Sequence, residues 1–109
     1  MPPKSSLPLP VAQGLRKLGR DLAVARRKRG ISTIDMASRL FVSRETLWRL
    51  ERGDPTVSVG TLATATFVLQ LQDRLANLAA PASDALALSL DESRRSEERR
   101  VGKECRSRW

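Results

Sequence analysis

The chain has 109 residues, of which 20 are Lys or Arg and 12 are Asp or Glu, so its net charge is +8. Because it has no His and one Cys, a disulfide within the chain, the common zinc sites and a His-based catalytic triad are excluded. No stretch is long and apolar enough to cross a membrane.

The charge is distributed unevenly along the chain. Residues 1–31 carry a net charge of +7, whereas residues 54–93 carry −4. A basic end of this kind favours a protein with one face turned toward a nucleic acid, although charge runs are also typical of plain solvated surface. We expect a cytoplasmic protein that is not an enzyme and uses no metal or cofactor.

The N-terminal region combines a proline-rich start with a helical pattern. Residues 1–10 contain four prolines and are predicted to form a mobile arm. From about Val11 the apolar spacing predicts a first helix, which ends in basic residues and at Gly30. The residues expected to face inward are Leu15, Leu18, Leu22 and Ala25.

Two short helices are predicted next, each preceded by a serine. Ser32 is a cap for a helix from Thr33 to about Leu40, and Ser43 is a cap for a helix from Arg44 to Arg52. The inward positions are Met36, Ala37, Leu40, Val42, Leu47 and Leu50.

Two further helices complete the predicted domain. Ser58 is a cap for a fourth helix from Val59 to about Leu69, and a fifth precedes Pro81. The inward positions are Val59, Leu62, Ala65 or Thr66, and Leu69 in the fourth helix, and Leu71, Leu75 and Leu78 in the fifth.

The C-terminal region is harder to assign. Leu86, Leu88 and Leu90 alternate with small residues as in a strand, but Ala and Leu also favour helices, so both alternatives stay open. Residues 95–109 show neither period and resemble a peptide that recurs at the ends of unrelated translated reading frames. We expect an arm at 1–10, a domain at 11–80, an extension at 81–94 that is a candidate dimer segment, and a non-native or disordered tail at 95–109.

The stretch from residue 31 to residue 53, ISTIDMASRLFVSRETLWRLERG, is the most informative. The stretches that carry its pattern are Ile31-Ser32-Thr33, Ala37, Leu40-Phe41-Val42-Ser43 and Leu50-Glu51-Arg52-Gly53. This pattern resembles the lambda-repressor-like, Cro-type (XRE) helix-turn-helix family over about residues 13–70. The resemblance implies an all-α, five-helix domain and a sequence-specific regulator of transcription, a repressor or autoregulator, that binds double-stranded DNA.

Two positions depart from the family pattern. Phe41 stands where the family has a turn glycine, a site that usually needs a positive φ. Either the turn is built differently or about 1 kcal/mol of strain is tolerated. Thr33 stands where a Gln often opens the first helix of the motif, and it can still reach a phosphate oxygen.

The candidate DNA-binding residues follow from this placement. Arg44 and Glu45 are expected to read base edges, since Arg suits guanine and Glu accepts from cytosine; the alternative is a solvated face with a Glu45–Arg49 pair. Trp48 either packs on the helix edge or touches the groove. The complete candidate set is Thr33, Arg39, Ser43, Arg44, Glu45, Thr46, Trp48 and Arg49.

Some of these and neighbouring residues have supporting or structural interpretations. The hydroxyls of Thr33, Ser43 and Thr46 are candidates for phosphate contacts, with capping alone as the alternative for Ser43. Arg39 is a candidate backbone contact. The cations at residues 26–29 are expected to attract DNA at long range, and Glu51 is expected to pair with an Arg of the first helix.

Two kinds of protein partner are also predicted. A homodimer is expected, formed through the acidic C-terminal half, by Leu71, Leu75 and Leu78 or by exchanged strands at Leu86, Leu88 and Leu90. Residues 55–62 resemble the HipB-type antitoxin and regulator branch. That resemblance implies an alternative function, in which the protein is an antitoxin that holds a toxin partner protein.

Overall fold

The computed structural model describes residues 7–101, and all of its regular elements are helical. They are α1 (Leu9–Lys28), α2 (Thr33–Leu40), α3 (Arg44–Glu51), α4 (Val59–Val68), α5 (Gln72–Ala76) and α6 (Ala85–Val101), with a 3-10 turn at Pro81–Ser83. The predicted all-α class is confirmed, and the ambiguous C-terminal segment is a helix. Residues 1–6 of the predicted arm lie outside the described residues.

The first helix begins at Leu9, slightly before its predicted start. Pro10 lies in its first turn, where the missing N–H of a proline costs nothing because that group has no partner within the helix. Part of the proline-rich start therefore belongs to α1.

Each of the helices α1 to α4 is followed by a residue in the left-handed conformation. Gly30 and Gly53 have φ values of 69° and 82°, and Phe41 and Gln70 have values of 57° and 62°. After each one, the next N–H bonds back to a carbonyl five residues earlier, as in Val42 N to Ala37 O at 3.1 Å. This is the Schellman ending. The turn at Phe41 thus keeps the left-handed geometry of a glycine.

The helices of the N-terminal unit, which extends to Leu75, enclose one apolar core. α1 packs on α3, and α2 packs on both α3 and α4. The core is made by Leu22, Ile31, Met36, Ala37, Leu40, Leu47, Leu50, Ala65 and Leu69.

Three residues expected to face inward are exposed instead: Leu18, Val59 and Leu78. Leu18 is displaced because α1 meets α3 at its neighbour Gly19, where an added Cβ would lie 2.5 Å from the Glu51 carbonyl oxygen. Val59 is the first residue of α4, ahead of the turns that pack. Leu78 lies beyond the end of α5, which is shorter than expected.

The second unit, beginning at Ala76, contains the 3-10 turn and α6. Leu86, Leu88 and Leu90 are exposed on this helix, so the exchanged-strand arrangement proposed for them is wrong, because their backbone is helical. α6 extends into the segment predicted as a tail, and residues 102–109 lie outside the described residues. None of the described helices combines the length and apolar character needed to span a membrane.

Candidate nucleic-acid interface

The α2–turn–α3 segment has the geometry expected from the sequence. Three residues, Phe41 to Ser43, separate the two helices, and Met36 and Leu47 are almost fully buried beneath them. Phe41 itself is 93% exposed, so its side chain contributes nothing to the core. Backbone hydrogen bonds from the N–H groups of Phe41 and Val42 and the packing of Val42 against the core hold the turn with Phe41 at a positive φ.

Serine caps fix the starts of both helices. Ser32 Oγ accepts from Asp35 N, and Ser43 Oγ accepts from Thr46 N, each at 3.1 Å. The Ser43 hydroxyl also lies 3.0 Å from Thr46 Oγ1. The capping alternative for Ser43 is therefore the arrangement present, and phosphate contacts by Ser43 and Thr46 remain predictions.

The outward face of α3 is polar and accessible. Leu47 and Leu50 are buried on the inner side, whereas Arg44, Glu45 and Trp48 are exposed. This placement agrees with the helical spacing from which the face was predicted. Among the described residues, no ion pair joins Glu45 to Arg49, so the carboxylate of Glu45 is not held by that neighbour.

The remaining candidates lie on α2 and farther along α3. Thr33 is the exposed first residue of α2. Arg39 is half exposed and pairs with Asp35, with Nη2 3.0 Å from Oδ2. Trp48 is 56% exposed, and the guanidinium carbon of Arg52 lies 4.4 Å from the centre of its ring, which is a cation–π contact.

A cleft of about 760 Å³ adjoins this end of α3. Its walls include Arg16 of α1 together with Trp48, Arg49 and Arg52. Arg52 and Arg16 were not predicted as site residues. Arg52 lies one helical turn after Trp48, so its spacing could have revealed it, whereas Arg16 reaches the cleft only through the packing of α1.

The basic end of α1 divides into two kinds of residue. Arg26 is buried and is therefore not part of the exposed cationic surface expected to attract DNA at long range. Arg27, Lys28 and Arg29 are exposed, which is the arrangement that such attraction requires.

Comparison with known proteins identifies the fold of this region. A family described as "Helix-turn-helix domain" matches residues 17–79, which is more than half of the chain. No curated protein and no solved structure matches the chain. The matched segment contains α2, the turn and α3, and a domain of this kind indicates a DNA-binding regulator.

Proposed function

The chain belongs to the helix-turn-helix domain family, and from this we propose that it is a sequence-specific, double-stranded DNA-binding regulator of transcription, acting as a repressor or autoregulator. The observation that carries the proposal is the outward face of α3. There, Arg44 and Glu45 lie in the first helical turn with their side chains exposed, above the buried Leu47 and Leu50.

In this proposal the candidate residues have separate tasks. Arg44 donates two hydrogen bonds to a guanine, and Glu45 accepts from a cytosine amino group. Arg49 and Trp48 contact the groove farther along α3. The backbone contacts that position the helix come from Thr33, Arg39, Ser43 and Thr46.

A second copy of the chain completes the proposed DNA-binding unit. One helix of eight residues reads few base pairs, and proteins with this motif commonly pair on half-sites about one helical turn apart. Residues 54–93 are the favoured contact, because they carry a net charge of −4 and include the exposed Leu86, Leu88 and Leu90 of α6. Sedimentation equilibrium of the full chain tests this; a monomer at tens of micromolar would contradict it.

The experiment that tests the function is selection of binding sites from random duplex DNA. The wild-type chain should enrich one sequence, and Arg44→Ala should bind it more weakly by about 1–3 kcal/mol and lose preference at one base pair. Arg74→Ala is the matched control, since it removes one exposed cation from α5. Failure of the wild type to enrich any sequence would contradict the proposal.

An antitoxin that holds a toxin is a second candidate function. It is favoured by the segment that resembles the HipB-type branch, because Val57, Val59 and Leu62 line an apolar groove there with Leu18, and Val59 is exposed. Coexpression with the product of an adjacent kinase-like reading frame tests it. A stable complex that Val59→Glu disrupts would support the antitoxin function. Two coexpressed proteins that purify separately would contradict it.

A further inference from the structure

The cleft beside α3 is lined by three arginines and by one carboxylate, that of Asp54, whose Oδ1 accepts hydrogen bonds from the backbone N–H and the hydroxyl of Thr56. The arginines are Arg16, Arg49 and Arg52, and none of them forms an ion pair with any residue that the structure describes. Other cations of the same unit are paired, as in Lys17–Asp21 at 2.6 Å and Arg39–Asp35 at 3.0 Å. With three arginines against the one carboxylate of Asp54, the described lining is cationic and suited to an anion.

Two of these arginines, Arg49 and Arg52, have N–H groups without a hydrogen-bond partner among the described residues. The guanidinium of Arg52 lies over the ring of Trp48, and this stacking restrains it while leaving N–H groups to donate. Arg49 Nε is buried and has no hydrogen-bond partner. A buried donor without an acceptor is costly, so an anion entering this cleft meets donors that the fold itself does not use.

The position of Arg16 depends on a close contact between α1 and the end of α3. An added Cβ on Gly53 would lie 2.6 Å from the backbone nitrogen of Arg16. The backbone of Arg16 therefore rests against the residue that follows Arg52. The loop from Gly53 to Ser58 contains no Lys or Arg and contributes the carboxylate of Asp54 to the lining, so the third arginine of the cleft comes from α1.

We propose that the cleft holds one phosphate of the DNA backbone, clamped between Arg16 of α1 and Arg52 of α3, with Trp48 against the adjoining sugar. This inference rests on the proposed function, because it needs α3 to lie on a duplex. It assigns to α1 a direct contact at one phosphate, in addition to the long-range attraction of its other cations. The phosphate lies beside the base pairs that α3 reads.

The test compares Arg16→Gln with Arg20→Gln in the full chain. Both residues are exposed on α1, and both changes remove one positive charge, but Arg20 does not line the cleft. Arg16→Gln should weaken binding roughly tenfold on the selected duplex and on unrelated duplexes. It should also lower the slope of log affinity against log salt by about one, and Arg20→Gln should do clearly less on both measures.

Ethylation interference locates the contact. Ethylation of one particular phosphate should block DNA binding by the wild-type chain. Ethylation of that same phosphate should no longer affect DNA binding by Arg16→Gln or by Arg52→Gln. Circular dichroism melts of all three variants establish that each one is folded before binding is measured.

The outcomes separate the proposals. A wild-type chain that binds no duplex overturns the proposed function and the clamp with it. Duplex binding with equal losses for Arg16→Gln and Arg20→Gln overturns the clamp alone. Calorimetric titration with inorganic phosphate and with a mononucleotide tests whether the cleft binds a free phosphate instead of the DNA backbone. Micromolar binding of either ligand that is lost in Arg16→Gln, while the duplex affinity of Arg16→Gln equals that of the wild type, would also overturn the clamp.

Discussion

Arg26 of α1 and Glu51 of α3 form a two-pronged ion pair, with Nε 2.8 Å from Oε2 and Nη2 3.3 Å from Oε1. The remaining nitrogen of Arg26, Nη1, donates to the Ile31 carbonyl at 2.9 Å. Both side chains are largely buried. One arginine thus ties the ends of α1 and α3 to the residue before the α2 cap, and the predicted pairing of Glu51 with an Arg of the first helix is confirmed.

Removing one member of this pair should be costly. Arg26→Met leaves the Glu51 carboxylate buried without its partner, so the free energy of unfolding should fall by about 3 kcal/mol. Urea denaturation measures the change. In a double-mutant cycle, Arg26→Met with Glu51→Leu should lose clearly less than the sum of the single changes.

Lys17→Met is the control for this cycle, because Lys17 and Asp21 form an ion pair that is exposed to solvent. Its effect should stay below about 1 kcal/mol. Strict additivity of the Arg26 and Glu51 changes would show that the two side chains do not stabilise the fold as a pair.

The contact between α1 and α3 gives a second prediction, which uses two glycines of the same helix. In Gly19→Ala the new Cβ would lie 2.5 Å from the Glu51 carbonyl oxygen, so the helices must separate and stability should fall by about 2 kcal/mol. In Gly14→Ala the Cβ meets nothing within 4 Å, and the better helix propensity of Ala should add about 1 kcal/mol. Thermal melts that move in the same direction for both variants would contradict this packing.

The turn of the motif gives a third prediction. Phe41 has a φ of 57°, which L side chains adopt with strain, and its exposed ring has no core contact to lose. Phe41→Gly should therefore raise the free energy of unfolding by about 1 kcal/mol. Gln70→Gly, at a φ of 62°, should act in the same direction. A loss of stability in Phe41→Gly would mean that the ring packs on the domain in solution.

Local signals account for much of what the sequence predicts correctly. Ser32, Ser43 and Ser58 were all expected as caps, and each accepts the N–H three residues on, because capping depends on only a few neighbouring residues. The outward placement of Arg44 and Glu45 likewise follows from helical spacing.

The features that the sequence did not predict depend on contacts between distant residues. Which face of α1 is buried depends on how closely α3 approaches, and this places Gly19, rather than Leu18, inside. The cleft is lined by Arg16 of α1 and Arg52 after α3, which are distant in the sequence, so no local sequence pattern predicts the cleft. The segment around Leu88 fits a strand and a helix equally well over so few residues.

The final prediction separates long-range attraction from base reading. Arg27 and Lys28 are exposed in the last turn of α1, whereas Arg44 lies on the outward face of α3. The double change Arg27→Gln with Lys28→Gln should weaken binding equally on selected and unrelated duplexes and reduce the salt dependence, since phosphate attraction carries no sequence information. Arg44→Gln should weaken the selected duplex more than the unrelated one. Fluorescence anisotropy over a salt series measures both effects, and a change of preferred sequence in the double variant would show that the end of α1 contacts bases.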